Sequence, residues 1–177
     1  MESKTWGQKK EICGSEIVSF EQNLRFWCTA FLLLQKRKTM SSEKFDSKRA
    51  PEPVGAYPHS RKVGNLLFCS GVGPRERGTK KIPGVELDAD GNIVSYNIET
   101  QCRSVFDNVR AVVEDSGAKW ENVVDVTVFL TNMKDDFKTY NKLYAEYFKD
   151  NQPCRTTLEI KSLPTPIAIE LKVIATI

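Results

Sequence analysis

The apolar positions along this chain change period several times, and each change marks an element. Between residues 97 and 116 they recur every three or four positions. Ile98, Cys102, Val105, Val109 and Val112 form a stripe, and Phe106 and Val113 widen it. This predicts a helix with Asn97 as N-cap and Gly117 as stop. A second helix is predicted over residues 134–150. There Phe137, Tyr140, Tyr144 and Tyr147 share a face with Phe148, and Asn141 lies at the edge of that stripe. Val123–Leu130 is dense in β-branched residues and reads as a central strand covered on both faces.

Residues 62–69 read as a hairpin that turns at Gly64-Asn65 into the short apolar strand Leu66–Cys69. Ser70-Gly71-Val72-Gly73-Pro74 breaks that strand. Residues 75–91 form a polar loop with a hairpin-type turn at Asp90-Gly91. Residues 155–162 and 167–176 read as two strands joined by a Pro-rich turn. The order is strand, strand, helix, strand, helix, strand, strand. Two helices packed on one face of a mixed sheet make an α+β fold. In the last strand Ile167, Ile169, Leu171 and Val173 alternate to one face and Glu170 points to the other. Nothing in a single chain is left to cover that second face, so a homo-oligomer is expected to bury it.

Composition adds limits. The 177 residues are 40% hydrophobic, enough for one core with some length to spare. Net charge is +3 overall, but residues 50–177 carry 16 Lys/Arg against 17 Asp/Glu, so the domain is near neutral. No basic face or stripe points to nucleic acid. Residues 1–46 read as an extension, disordered or preceding an alternative start near Met40, and 47–177 as the domain. The nine-residue apolar run 26–34 is far short of the roughly 20 residues a membrane helix needs. Five cysteines, Cys13, Cys28, Cys69, Cys102 and Cys154, show no paired spacing. They fit a reducing compartment: the cytoplasm, with the mitochondrion as alternative. His59 is the single histidine, and no metal site is expected.

Chemistry enters with Arg155 and Glu170. An arginine presents a planar fork of donors suited to a carboxylate. A glutamate inside an apolar strand is costly unless it is paired or used. The two read either as a cross-strand ion pair or as a site that grips a small acid and moves a proton beside it.

From about Ala50 onward the chain resembles the Rid family of reactive-intermediate deaminases, which act on enamines and imines. The matching stretches are Pro53-Val54-Gly55-Ala56-Tyr57, Gly64 through Gly71, residues 124–132, Tyr140-Asn141-Lys142-Leu143-Tyr144, and Pro153-Cys154-Arg155-Thr156-Thr157 through Glu170. Ala56-Tyr57-Pro58-His59 and Val72 depart from the commonest pattern; Tyr57-Pro58-His59 followed by basic residues, and Pro153-Cys154-Arg155-Thr156-Thr157 before a Leu-Pro turn, look like the 2-aminomuconate deaminase branch. The resemblance implies a homotrimer with clefts between subunits and no metal or organic cofactor. It implies that Arg155 binds the substrate carboxylate, that Glu170 handles water, and that Tyr57, Ser70 and Asn141 complete the pocket. Arg155 and Glu170 are then expected in one half-pocket, the neighbouring subunit supplying the rest. Backbone N–H groups around Cys154 are candidates to hold a substrate oxygen. His59 and Arg61, on one face with Tyr57 if the segment is extended, are candidates for a second substrate carboxylate. The implied partner is a small carboxylate-bearing enamine or imine, with neither nucleic acid nor membrane. Two other classes stay open: an endoribonuclease or translation inhibitor, and a non-enzymatic, chaperone-like trimer.

Overall fold

The structure, a computed structural model, describes residues 41–177. The apolar run 26–34, the start near Met40, and Cys13 and Cys28 lie outside the described residues.

The chain runs β1 (Ser42–Phe45), β2 (Ser60–Val63), β3 (Leu66–Cys69), β4 (Val85–Leu87), β5 (Ile93–Tyr96), α1 (Ile98–Asp115), a 3-10 turn (Trp120–Asn122), β6 (Val123–Leu130), α2 (Met133–Phe148), β7 (Cys154–Glu159) and β8 (Ile169–Thr176). Six strands form one mixed sheet in the order β1-β2-β3-β8-β6-β7. All neighbours are antiparallel except β6 and β7, which are parallel. A parallel pair needs a long crossover, and α2 supplies it.

Both helices form where their stripes place them. Asn97 Oδ1 accepts from the Thr100 amide at 2.9 Å and Asn132 Oδ1 from the Asp135 amide at 3.2 Å, so each helix start has a side-chain cap. One face of the sheet and both helices share the core. α1 buries Val105, Phe106, Val109 and Val112; α2 adds Tyr140, Leu143 and Phe148. The sheet answers with Val126, Val128 and Leu130 from β6 and Ile169, Leu171 and Val173 from β8. Each such side chain contributes about 1.5–3 kcal/mol when fully buried.

The lead-in to the sheet is tied to the end of α1. Ser47 Oγ donates to Asp115 Oδ2 at 2.7 Å, as does the Lys48 amide at 3.1 Å, and Arg49 Nε donates to Asp115 Oδ1 at 2.8 Å.

Four expectations change. β6 is covered on one face only: Val126, Val128 and Leu130 are buried, while Thr127 and Phe129 on the other face are half-buried. The domain's sheet begins before residue 47, because β1 pairs with β2 along the edge. Its sequence, Ser-Glu-Lys-Phe, has the polar character of an edge strand and no apolar alternation to reveal it. The polar loop 75–91 contains β4, which pairs with β5 in a separate two-stranded ribbon around the turn at Gly91. Finally, β7 and β8 are not neighbours, because β6 lies between them.

Candidate active site

Register fixes which way each site residue points. On β8, Glu170 is paired with Phe129 of β6, on the face that the helices leave bare. On β7, Arg155 is paired with Val126, whose side chain is in the core, so Arg155 lies on the helix face. Two strand steps and three residues of offset separate the pair, about 14 Å between Cα atoms at ordinary strand spacings. The cross-strand ion pair is therefore not made, and the two residues do not share one half-pocket in a single chain.

The surroundings of Glu170 come from the segment after β3. Val72 exchanges two backbone hydrogen bonds with Leu171, 2.8 Å and 3.0 Å, zipping residues 70–73 alongside β8. This lays Gly71 directly against Glu170. A Cβ on Gly71 would stand 2.3 Å from Glu170 Oε1, so only glycine fits without moving the carboxylate. The result is a cavity of about 110 Å³ lined by Tyr57, Gly71, Gly73, Arg75, Ile167 and Glu170, among others. Burial pushes the Glu170 pKa up, and the positive charge of Arg75 opposes that rise. Such a carboxylate is suited to taking and returning a proton.

Of the other expected residues on this side, Tyr57 lines the cavity and is 43% exposed. Ser70 borders an adjoining pocket of about 20 Å³, and its hydroxyl donates to the Pro58 carbonyl at 2.7 Å. His59 is a correction. It is buried, its Nδ1 accepts from the Ser47 amide at 3.1 Å, and its Nε2 lies 2.9 Å from the Pro51 carbonyl. With both nitrogens engaged, it anchors the lead-in and has no donor left for a substrate. Arg61 is a second correction: it lies in β2 with its Nε donating to Ser42 Oγ on β1, outside the lining of either pocket beside Glu170.

Arg155 has a different setting. Asn141 on α2 accepts from its Nη1 at 2.8 Å. The guanidinium carbon stands 4.6 Å from the centre of the Tyr144 ring and 5.7 Å from that of Tyr140. Burial raises the pKa of both phenols, so they stay neutral and offer the cation their ring faces. Asn141, Tyr144, Lys149 and Arg155 border an open groove of about 430 Å³. Cys154 is exposed and pairs with Asp125, so its side chain belongs to the bare face, opposite Arg155.

Two unlike settings thus lie on opposite faces of one sheet. Sequence reasoning missed Arg75, because it follows Pro74 at the start of a loop without periodicity. Its position a few residues past Ser70-Gly71, at the end of a strand, was the available signal.

Residues 47–177 match the family described as Endoribonuclease L-PSP. The chain belongs to that family. The likeness to Rid deaminases read from the residues stands with it. The chain is 35% identical over 142 residues to Reactive Intermediate Deaminase A, chloroplastic, of Arabidopsis thaliana, covering 80% of this chain and 67% of that protein. It is 35% identical over 136 residues to a RutC family protein of Pyrococcus abyssi, covering 77% and 98%. Among solved structures, Escherichia coli TdcF with bound serine superposes with a TM-score of 0.65 at 28% identity, covering 76% of this chain and 98% of that one. The α+β fold is the family's. At family level the protein is a homologue of reactive-intermediate deaminases, hydrolases of C–N bonds, and of proteins that carry the endoribonuclease name. Among the described residues, no helix is long and apolar enough to cross a membrane.

Proposed function

We propose that the protein is a hydrolytic deaminase of small enamine or imine carboxylates, with 2-aminomuconate or a related intermediate as substrate, and that it works as a homotrimer. The observation that carries this reading is the pair of half-sites. An arginine suited to a carboxylate and a glutamate suited to proton transfer lie on opposite faces of one sheet. A small substrate meets both only where two copies join, Arg155 from one and Glu170 from the next. The bare face of the sheet supports the same arrangement: Phe68 and Leu158 are exposed there, beside Phe129 and Ile174.

The reaction follows from the groups present. Arg155 holds the substrate carboxylate. The enamine tautomerises to an imine, gaining a proton on carbon and losing one from nitrogen. Glu170 removes a proton from water as the water oxygen bonds to the imine carbon. Glu170 returns that proton to nitrogen to give a carbinolamine, then carries the hydroxyl proton to the same nitrogen as the C–O double bond forms and the C–N bond breaks, so that ammonia leaves a 2-oxo acid. Tyr57, on the rim of the same cavity, shields the reacting carbon and offers a hydroxyl; Ser70 fixes the loop that carries Gly71. Asn141 sets the angle of the Arg155 fork. None of these steps requires a metal or organic cofactor. The relative crystallised with serine supports a pocket for a small amino acid skeleton. Free Cys69, Cys102 and Cys154 support the cytoplasm as the compartment.

Ammonia release from freshly generated 2-aminoacrylate and 2-aminomuconate tests the reading. Release above the spontaneous rate, lost in Glu170→Gln, is the expected result. The family's printed name calls for an RNA arm in the same experiment. RNA cleavage that survives further purification and disappears in Glu170→Gln, with no ammonia released, would replace the deaminase reading by the ribonuclease one.

A further inference from the structure

We propose that Arg75 is a second carboxylate-binding residue of the shared site, which makes the preferred substrate class a small dicarboxylic enamine or imine. This deepens the deaminase reading and rests on it.

Four observations converge on Arg75. It lines the Glu170 cavity and the adjoining pocket at once, beside Tyr57, Gly71 and Gly73. Its backbone is pinned. Asn108 Nδ2, on α1, donates to the Gly73 carbonyl at 2.9 Å and to the Arg75 carbonyl at 3.0 Å, and the Arg75 amide donates to Gly73 at 3.0 Å. A binding group fixed in this way loses little freedom when it takes a ligand.

Its guanidinium is also free of any direct ion pair among the described residues, although its charge reaches Glu170. Arg49, Arg77, Arg103 and Lys81 each hold a carboxylate. Among the described residues, no carboxylate lies within 4.0 Å of the Arg75 guanidinium. One Nη2 hydrogen bond, 2.7 Å to the Glu52 carbonyl, orients the group and leaves most of its five N–H donors free.

The space beside it is kept open by the absence of side chains. A Cβ on Gly73 would stand 2.7 Å from Ile167 Cδ1, and one on Gly71 would collide with Glu170. The cavity of about 110 Å³ is ample for a carboxylate group and its first carbons.

The geometry then orders the substrate. Arg155 of one copy holds the carboxylate next to the reacting carbon. Glu170 of the next copy faces that carbon. Arg75 takes the far end of the chain. His59 and Arg61 are unsuited to this role for the reasons given above, which leaves Arg75 as the cation that lines the cavity.

Kinetics of the wild type, Arg75→Gln and Arg75→Lys on freshly generated 2-aminoacrylate and 2-aminomuconate test the proposal, with gel filtration to confirm that each variant assembles like the wild type. Because both substrates share the Glu170 chemistry, any effect of Arg75 on Glu170 cancels in the ratio of their kcat/KM values. The expected result is a fall in the dicarboxylic-to-monocarboxylic ratio of about tenfold to a hundredfold in Arg75→Gln, carried mainly by KM and partly restored in Arg75→Lys. An unchanged ratio in a wild type active on both substrates overturns the inference and leaves the deaminase reading intact; Arg75 would then act on Glu170 alone. Wild-type activity confined to the monocarboxylic substrate overturns it as well. No ammonia from either substrate overturns the deaminase reading and this inference with it.

Discussion

Glu170 and Arg155 occupy opposite faces of one sheet, and the two settings are built from different materials. Around Glu170 the chain has removed side chains. Gly71 and Gly73 bring the backbone close, a loop is zipped to β8 through Val72 and Leu171, and a partly desolvated carboxylate faces a small cavity. Around Arg155 the chain has added side chains. Two aromatic rings support the guanidinium and an amide from α2 fixes its fork. The first setting tunes a proton affinity; the second holds a charge in place. A proton-transfer group gains from a shifted pKa, whereas a carboxylate clamp gains from rigidity. The difference teaches that one fold builds two unlike settings on opposite faces, and the proposed reaction needs two copies to bring them together.

Substitutions on the two faces should therefore fail in different ways. The largest effect is expected from Glu170→Gln, which keeps the shape and removes the proton carrier. Its kcat should fall by about 10²–10⁴ with KM little moved. In the wild type, the raised Glu170 pKa should set the acid limb of kcat/KM above the value of about 4.3 for an ordinary glutamate. The active form is the ionised one, so activity is lost as pH falls through that raised pKa. A limb that persists unchanged in a residually active Glu170→Gln would assign it to another group.

Arg155→Lys comes next. A point charge replaces a bidentate fork, and kcat/KM should drop by about a hundredfold, mainly through KM. A loss confined to kcat would place Arg155 nearer the proton transfer than its aromatic setting implies.

How much of this was legible in the residues depends on what periodicity reports. The helices were legible because a 3.6 period carries its own signal, and Asn97 was legible as the cap of the first; the Asn132 cap of the second was not read. The outward direction of Glu170 was legible because a period of two fixes the face of each residue. Strand order was not, since alternation says which face a residue occupies and nothing about its neighbour. For that reason β6 between β7 and β8 came only with the structure, and with it the separation of Arg155 from Glu170. The turn of the β4–β5 ribbon at Asp90-Gly91 was legible, but its strands were hidden because they are mostly exposed: Val94 is 68% exposed. Arg75 was hidden because a long-range backbone bridge, not a local pattern, brings its loop to the site.

A smaller effect is expected from Gly71→Ala. The new methyl must displace the Glu170 carboxylate, whose Cδ would be 2.8 Å away, and kcat should fall about tenfold to a hundredfold. The Arg155 half should be untouched, so KM for a monocarboxylic substrate should stay near the wild-type value. The smallest is Asn141→Ala, which frees the Arg155 fork without removing it. A rise in KM of about three- to tenfold is expected, with kcat retained. Should Asn141→Ala lower kcat instead, the division of labour between the two faces would be blurred.

The central claim is that a working site takes Arg155 and Glu170 from different copies, and mixing two inactive chains tests it most directly. Arg155→Ala and Glu170→Ala are co-expressed in equal amounts, and the assembled protein is assayed for deaminase activity. In a closed ring of three, every mixed trimer regains one intact site, and random assembly should restore about a quarter of wild-type activity. Activity no higher than that of the two variants alone, in trimers shown to contain both chains, would contradict the account.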